Sequence, residues 1–327
     1  MLPRVGLNIA PLPAHLMLAA GRRAEELGFE SLWLGEHLAV PVAAESEYPA
    51  GGGAQPFTVT TAWLDPMLVL SHVAAATSTI RLGVGIYIAP LRSPVITAKA
   101  FTTLDHLCGG RLEFAWGVGW MREEFDLAGA DFTTRGRRMD EILDIFEVLF
   151  SDESFPSYGG TYYSFPPIGF YPKPVVGPRR SRIVGGGYSE AAFRRSARCD
   201  GWYGHLDRLD TSPPRQGICS PEVAREFTHR FRTIRRERGG NPEDFEISGA
   251  VRGLASRDEL HDLGEAGIDR VVVNPWAHRG EPEVGSATSF EPAEEYAADI
   301  GLRPVLTHDV CRPNDEEPKW TVTSGQA

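Results

Sequence analysis

Eight short apolar runs alternate with helical patterns along the 327-residue chain, and this alternation is the strongest constraint on its fold. Most runs are continuously apolar, which is typical of strands buried on both faces of a parallel sheet. We predict strands at residues 5–10, 31–36, 81–88, 111–118, 181–186, 201–204, 245–251 and 269–275. Eight strands that are each paired with a helix predict an α/β fold, a closed (β/α)8 TIM barrel that forms one domain over residues 1–305.

The helical segments carry recognisable end signals. A helix predicted over residues 14–27 ends at Gly28, a residue favoured just after a helix. Asp65–Pro66 and Ser93–Pro94 each place a capping residue before a proline at the first helical position. Apolar residues at helical spacing predict further helices at residues 137–150, 221–240 and 257–267.

Three insertions exceed what a minimal barrel needs, at about residues 38–64, 151–180 and 277–293. Loops this long in a compact domain are usually functional or disordered. The first and third follow strands, so we expect them at the C-terminal face of the barrel, whereas the second is interpreted as a hairpin followed by an extended return. The tail over residues 306–327 is expected to be poorly ordered.

Composition excludes several classes of function. The net charge is −11 and no long basic run occurs, so a nucleic-acid surface is not expected. No apolar stretch is long enough to span a membrane, and the N-terminus lacks signal-peptide features, so we expect a cytoplasmic protein. The four cysteines form no C-x-x-C pair, so neither a metal site nor a disulfide framework is indicated.

In a barrel of this kind the chemistry lies at the C-terminal ends of the strands. The first strand ends in "NIAP", which includes Asn8 but no H-x-H pair, and this disfavours a metal-dependent hydrolase. None of the three lysines lies at a strand end, which disfavours Schiff-base chemistry. The second strand ends on the ionisable pair Glu36–His37, although a single histidine after a strand is more often a loop residue or a helix cap than a catalyst.

A glycine run follows the fifth predicted strand. Gly185, Gly186 and Gly187 precede Tyr188 and then Ser189, which is placed to cap a helix. Glycines permit close backbone approach and a helix N-terminus offers free N–H groups, so the pattern is compatible with phosphate binding. A glycine-rich turn from strand to helix is, however, often purely structural.

Four motifs together resemble the bacterial luciferase-like monooxygenase superfamily over roughly residues 5–275. They are "AEELGFESLWLGEH", the block from "DPMLVLSHVAAATSTIRLGVGIYIAP" to "RLEFAWGVGWMREEF", "RGRRMDEIL" and "IVGGGYSEAAFRRSARCDGWYG". The phrasing "GVGWMREEF" is most similar to the actinobacterial branch that uses the deazaflavin coenzyme F420. The resemblance implies a barrel with insertions that binds a flavin or deazaflavin at its C-terminal mouth.

The resemblance also implies site residues. Glu36 and His37 would face the cofactor ring, and His37 would assist proton transfer, as an imidazole can at neutral pH. A non-prolyl cis peptide between Gly85 and Ile86 would support the ring from behind. The remaining cofactor contacts would come from Asn8, Gly117, Gly119, Trp120, Gly185, Gly186, Gly187 and Tyr188.

The sequence departs from the deazaflavin sugar dehydrogenases of this superfamily at one position. Those enzymes carry a glutamate shortly after the Gly-x-Gly of the fourth strand. Here Trp120, Met121 and Arg122 intervene before Glu123 and Glu124. This departure disfavours sugar-phosphate oxidation.

The implied function is hydride transfer between coenzyme F420 and a small organic substrate. A hydrophobic or planar substrate would suit five aromatic residues that we expect at the mouth, namely Phe57, Trp63, Tyr87, Trp120 and Trp276. Arginines would line the exit path of the acidic cofactor tail, from Arg92, Arg122, Arg179, Arg180 and Arg182. One alternative is an FMN-dependent monooxygenase with a partner flavin reductase, and another is a non-catalytic flavin-binding protein. Family members are commonly homodimers, with helices near residues 66–78 and 94–107 as the expected interface.

Overall fold

The computed structural model describes residues 2–48, 57–175, 182–209, 218–278 and 284–303. Within them eight parallel strands close into a barrel in the order β1-β10-β9-β8-β7-β4-β3-β2, which confirms the predicted (β/α)8 fold. An antiparallel hairpin, β5–β6, lies outside the barrel and confirms the hairpin expected in the second insertion. The tail predicted at residues 306–327 lies outside the described residues. The strands are β1 Arg4–Asn8, β2 Ser31–Leu34, β3 Arg81–Ile88, β4 Leu112–Gly117, β5 Tyr158–Gly159, β6 Ser164–Phe165, β7 Arg182–Gly186, β8 Gly201–His205, β9 Glu246–Ala250 and β10 Arg270–Val273.

The helices surround the barrel and follow the predicted end signals closely. Asp65 caps its helix by accepting hydrogen bonds from the N–H groups of Met67 and Leu68. Ser93 takes the N-cap position as expected but makes no capping hydrogen bond. Gly28 adopts a φ of 91°, which a side chain would disfavour. The helices are α1 Met17–Leu27, α2 Pro66–Ala74, α3 Pro94–Leu107, α4 Arg122–Leu127, α5 Arg135–Phe150, α6 Glu190–Ser196, α7 Pro221–Glu237, α8 Arg257–Glu265, α9 Pro275–His278 and α10 Glu291–Ile300.

Strands β1, β2 and β10 each end two residues earlier than predicted, and a side-chain hydrogen bond accounts for the end of β1. The Asn8 side chain accepts the N–H of Ala10, which turns the chain out of β1. Strand β2 stops at Leu34, so Glu36 and His37 lie on the loop beyond it. The earlier end of β2 therefore moves Glu36 from the sheet to the rim of the barrel.

A buried ionic network closes the N-terminal end of the barrel. Arg270, which is fully buried at the start of β10, pairs with Glu30 at 2.7 Å, with Glu113 at 2.5 Å and with Glu246 at 2.5 Å. Each of these residues lies at or before the start of a barrel strand. The charges at this end are therefore paired with one another, and ligands of such barrels bind at the opposite, C-terminal end.

Candidate active site

His37 lies at the C-terminal rim, directly beyond β2, within a group of aromatic rings. Its ring centroid is 4.5 Å from that of Phe57, 4.8 Å from that of Trp63 and 5.8 Å from that of Trp120. The side chain is 8% exposed. The first insertion therefore folds back over His37, the residue predicted to be catalytic.

Glu123 anchors one part of that insertion to α4. Its Oε1 accepts the N–H of Glu45 at 2.7 Å and the N–H of Ser46 at 3.0 Å. Tyr48, two residues further on, packs edge-on against Trp120, with 5.3 Å between the ring centroids. The start of α4 thus fixes the aromatic wall beside His37.

Glu124 is the partner of His37, and sequence reasoning did not assign it. Its Oε2 lies 3.0 Å from Nδ1 of His37, and its Oε1 accepts the N–H of Leu38 at 2.6 Å. The side chain is 1% exposed. An ionised carboxylate only accepts hydrogen bonds, so Nδ1 carries the proton and the other ring nitrogen, Nε2, can take or give one. The available signal was the paired Glu123–Glu124 that follows Gly119.

Glu36 makes a different set of contacts from those the resemblance implied. Its two carboxylate oxygens accept hydrogen bonds from the Arg92 guanidinium at 2.9 and 2.7 Å, and Oε1 also accepts the N–H of Ile88 at 2.6 Å. Burial raises the pKa of the Glu36 carboxyl, while Arg92 and the Ile88 N–H oppose that rise. The residue ties the end of β2 to β3, and whether it also touches a cofactor stays a prediction.

The floor of the mouth centres on Ile86. The Gly85–Ile86 peptide is cis, as predicted, and the pairing of β3 with β4 shifts register there. A Cβ on Gly117 would lie 2.6 Å from the Ile86 side chain, and one on Gly186 would crowd it equally. These two glycines therefore leave room for Ile86, beneath which Trp33 and Tyr203 stack with centroids 4.5 Å apart.

The glycine run has a packing explanation. A Cβ on Gly185 would overlap Ser196, and Gly187 has a φ of 100°. Ser189 caps α6 as predicted, through the N–H of Ala192 at 3.2 Å. The Tyr188 hydroxyl meets the backbone N–H and carbonyl of the last residue of β8. Packing alone accounts for the glycines, so phosphate binding stays a prediction about the N–H groups of this loop.

The other predicted contacts divide into two groups. Asn8 and Gly119 lie at the rim. Position 119 disfavours any side chain, because its φ is 77° and a Cβ there would clash with Phe125. The expectation that Tyr87 and Trp276 line the mouth is wrong. Tyr87 is 3% exposed and packs on Phe114, and Trp276 is fully buried with its indole N–H bonded to a loop carbonyl.

The arginines expected along the tail path also divide. Arg92 is committed to Glu36, whereas Arg122 stacks on the Phe132 ring, with 4.6 Å from the guanidinium carbon to the ring centroid. Arg135, which was not among the predicted arginines, also stacks on this ring, with 3.8 Å from its guanidinium carbon to the centroid. Arg179 and Arg180 lie outside the described residues, and Arg182 begins β7.

The described residues contain no group of three or more histidine, cysteine, aspartate and glutamate side chains arranged to hold a metal ion. No helix within them is both long and apolar enough to cross a membrane.

The fold and rim define a (β/α)8 barrel protein with a histidine–carboxylate pair in an aromatic mouth. The model of the luciferase-like monooxygenase family matches residues 6–259. The chain therefore belongs to the luciferase-like monooxygenase family, which confirms the resemblance seen in its motifs.

Three similar proteins illustrate the range of relatives. An uncharacterized protein of Mycobacterium tuberculosis is 34% identical over 198 residues, which cover 60% of this chain and 70% of that protein. The 4-hydroxyprotoasukamycin monooxygenase of Streptomyces nodosus subsp. asukaensis is 27% identical over 276 residues, covering 82% and 67%. The coenzyme F420-dependent tetrahydromethanopterin reductase of Methanopyrus kandleri shares the fold, with a TM-score of 0.66 at 15% identity over 92% of this chain and 99% of that one.

Proposed function

We propose that the chain is an oxidoreductase that transfers a hydride between coenzyme F420 and a small hydrophobic substrate, with His37 moving the accompanying proton. The observation that carries this is the His37–Glu124 pair, with 3.0 Å between Nδ1 and the carboxylate. A carboxylate that orients a histidine through one nitrogen leaves the other nitrogen for proton transfer. The bound deazaflavin would supply the hydride acceptor or donor.

The surroundings of His37 support a hydrophobic substrate that carries one oxygen. Phe57, Trp63 and Trp120 supply apolar surface beside the imidazole. The indole N–H of Trp63 is buried and has no hydrogen-bond partner in the described part of the chain. A carbonyl or hydroxyl oxygen on the substrate would satisfy that donor, since buried N–H groups are rarely left unpaired.

The residues at the mouth are compatible with the proposed cofactor. The Ile86 side chain forms an apolar ledge between Gly117 and Gly186, on which a planar ring would rest. The backbone N–H groups of residues 186–188 precede the N-terminus of α6, where a phosphate would be stabilised. We expect the amide resonances of Gly186, Gly187 and Tyr188 to shift when FMN or coenzyme F420 is added, but much less with riboflavin, which lacks the phosphate. Equal shifts with riboflavin would contradict this placement.

Arg122 and Arg135 favour the deazaflavin over FMN. Neither has a carboxylate partner among the described residues. Burial lowers the pKa of Arg135, and the nearby charge of Arg122 lowers it further. Two guanidiniums near the rim that lack a carboxylate partner would attract the acidic tail of coenzyme F420. Affinity for that cofactor should therefore fall as salt rises, because exposed charges are screened within about 10 Å.

The second candidate is an FMN-dependent monooxygenase served by a flavin reductase, which the similarity to 4-hydroxyprotoasukamycin monooxygenase favours. The third is a flavin-binding protein without turnover. Spectral titration with FMN and coenzyme F420 comes first, followed by anaerobic and aerobic reduction assays. Tighter coenzyme F420 binding and oxygen-independent turnover support our proposal. Oxygen consumption with FMN and a reductase would establish the monooxygenase, and binding without turnover would establish the third reading.

We also propose that the chain forms a homodimer through α2 and α3. Leu68, Ile96 and Leu107 are 73%, 69% and 62% exposed on these two helices, which pack against each other. Leu68→Glu with Ile96→Glu should convert a dimer to a monomer in light scattering. Leu127→Glu on α4, where the leucine is 63% exposed, is the matched control and should leave the mass unchanged.

A further inference from the structure

Two buried polar atoms at the mouth have no hydrogen-bond partner among the described residues. They are Nδ1 of His205, the last residue of β8, and Oδ1 of Asp207, just beyond it. Asp207 is 8% exposed. Buried polar groups in native proteins are nearly always paired, so an adjacent unpaired pair indicates a missing partner.

Strand alternation shows that His205 faces the barrel mouth. Within β8, Trp202 packs outward on Phe227 of α7, with 4.6 Å between ring centroids, and Tyr203 stacks inward on Trp33. Side chains two apart on a strand point to the same side, so His205 projects inward above Tyr203. In the closed barrel β8 lies opposite β2, so His205 is across the mouth from His37.

The local contacts hold both groups in place without satisfying them. The Tyr188 hydroxyl accepts the N–H of His205 at 2.6 Å and donates to its carbonyl at 3.1 Å, which fixes the backbone. Arg252 pairs with the other Asp207 oxygen, Oδ2, at 2.5 Å. The guanidinium therefore engages Oδ2 and leaves Oδ1 open to a donor.

The state of His205 adds to this picture. Burial lowers the pKa of its imidazole to about 4, against the opposing effect of Asp207. The ring is therefore neutral at physiological pH and offers one accepting and one donating nitrogen. A neutral imidazole beside a carboxylate suits hydroxyl groups, which both donate and accept, better than it suits an anion.

We propose that His205 and Asp207 form a polar subsite that binds a hydroxyl-bearing chain opposite His37. The hydroxyls would come from the cofactor's sugar-like side chain or from the substrate. The inference rests on the proposed function only in taking the barrel mouth as the ligand site.

The first arm of the test detects hydroxyl binding without any flavin, using ribitol as the probe. Protein labelled with 15N-histidine is titrated with ribitol, and the His205 signal is assigned with the His205→Gln variant. We expect a saturable shift of the His205 ring nitrogens in the wild type that Asp207→Asn abolishes. Asp258→Asn, an exposed change of the same charge on α8, is the control and should keep the shift.

The second arm identifies the source of the hydroxyls. Riboflavin and lumiflavin share a ring, but only riboflavin carries the hydroxylated chain. If the cofactor supplies the hydroxyls, Asp207→Asn should remove roughly tenfold or more of the riboflavin preference, as expected for losing a hydrogen bond to a charged group. A ribitol shift with an unchanged preference assigns the hydroxyls to the substrate.

The subsite is refuted if ribitol leaves His205 unshifted and neither Asp207→Asn nor His205→Gln alters the riboflavin preference in folded protein. Absence of flavin binding with a ribitol shift would refute the proposed cofactor and leave the subsite standing. Both variants are compared with the wild type by thermal unfolding, so that loss of fold is recognised.

Discussion

Replacing Glu124 with glutamine tests whether the His37–Glu124 pair sets the proton chemistry. The carboxylate accepts two hydrogen bonds, from His37 Nδ1 at 3.0 Å and from the Leu38 N–H at 2.6 Å. A glutamine has one oxygen and one NH2 group, so it can accept only one of them through its single oxygen. Keeping the Leu38 bond turns the NH2 towards His37, which forces Nδ1 to accept and moves the ring proton to Nε2.

The magnitude follows from the bond that is lost. A hydrogen bond to a charged group contributes about 1.5–3 kcal/mol, and each 1.4 kcal/mol is a factor of ten in rate. If Glu124 stabilises the protonated imidazole during proton transfer, Glu124→Gln should slow that step by roughly 10- to 150-fold. The wrong tautomer would place the result near the upper end, since Nε2 would then carry the proton it must accept.

The assay separates chemistry from binding. Single-turnover stopped-flow absorbance follows oxidation or reduction of the bound cofactor, and fluorescence titration gives its dissociation constant. We expect a lower rate constant with a nearly unchanged dissociation constant. Nitrogen-15 shifts of His37 should report a proton on Nδ1 in the wild type and on Nε2 in the variant.

A matched control lies two residues further along the same helix. Asp126 is exposed on α4, and Asp126→Asn makes the same change of charge without touching His37. It should leave both the rate and the tautomer unchanged. The reasoning is refuted if Glu124→Gln reacts at the wild-type rate while His37→Asn is slow, because His37 would then act without its carboxylate.

Three further predictions concern stability and its pH dependence. Arg270→Met should lower the free energy of unfolding in urea by about 3–5 kcal/mol, because it leaves buried carboxylates such as Glu113 without their cation. Glu36→Ala should cost about 3 kcal/mol in the same assay by leaving Arg92 unpaired, and equal stability would show that the pair contributes nothing. Partial burial raises the pKa of Glu25, but hydrogen bonds from the N–H groups of residues 78–80 lower it by more. The pKa in the folded protein therefore lies below the usual value of 4.5. The resulting stabilisation is complete above pH 4.5 and is lost as pH falls through the folded-state pKa. The free energies of unfolding of Glu25→Gln and the wild type should therefore converge in urea titrations at acid pH.

The sequence predicted the barrel because burial on both faces leaves a continuously apolar run in most strands. Continuous apolar runs, a proline after Asp65 and a glycine after α1 are local signals, and each has a local physical cause. Strand ends were less well predicted. Asn8 accepts the N–H of Ala10 and so ends β1, a contact that the apolar pattern of the strand does not reveal.

The site was predicted in part for a related reason. His37 stood out because a buried strand ran directly into an ionisable residue. Its partner Glu124 is 87 residues away, and nothing in the local pattern separates Glu124 from the neighbouring Glu123. One of these carboxylates turns inward to the imidazole and the other caps a loop. Only the packing of α4 against the rim decides between them.

Glu36 shows how adjacency can mislead. Glu36 and His37 follow one another, and the sequence treats them as a pair facing the same ligand. Successive residues beyond a strand point in different directions, so the barrel gives each its own partner, Arg92 for one and Glu124 for the other. The Glu36–Arg92 and His37–Glu124 contacts therefore differ in what they leave free. Both Glu36 oxygens are occupied, whereas Nε2 of His37 has no hydrogen bond in the described part of the chain, so our proposal gives the proton transfer to His37 rather than to Glu36.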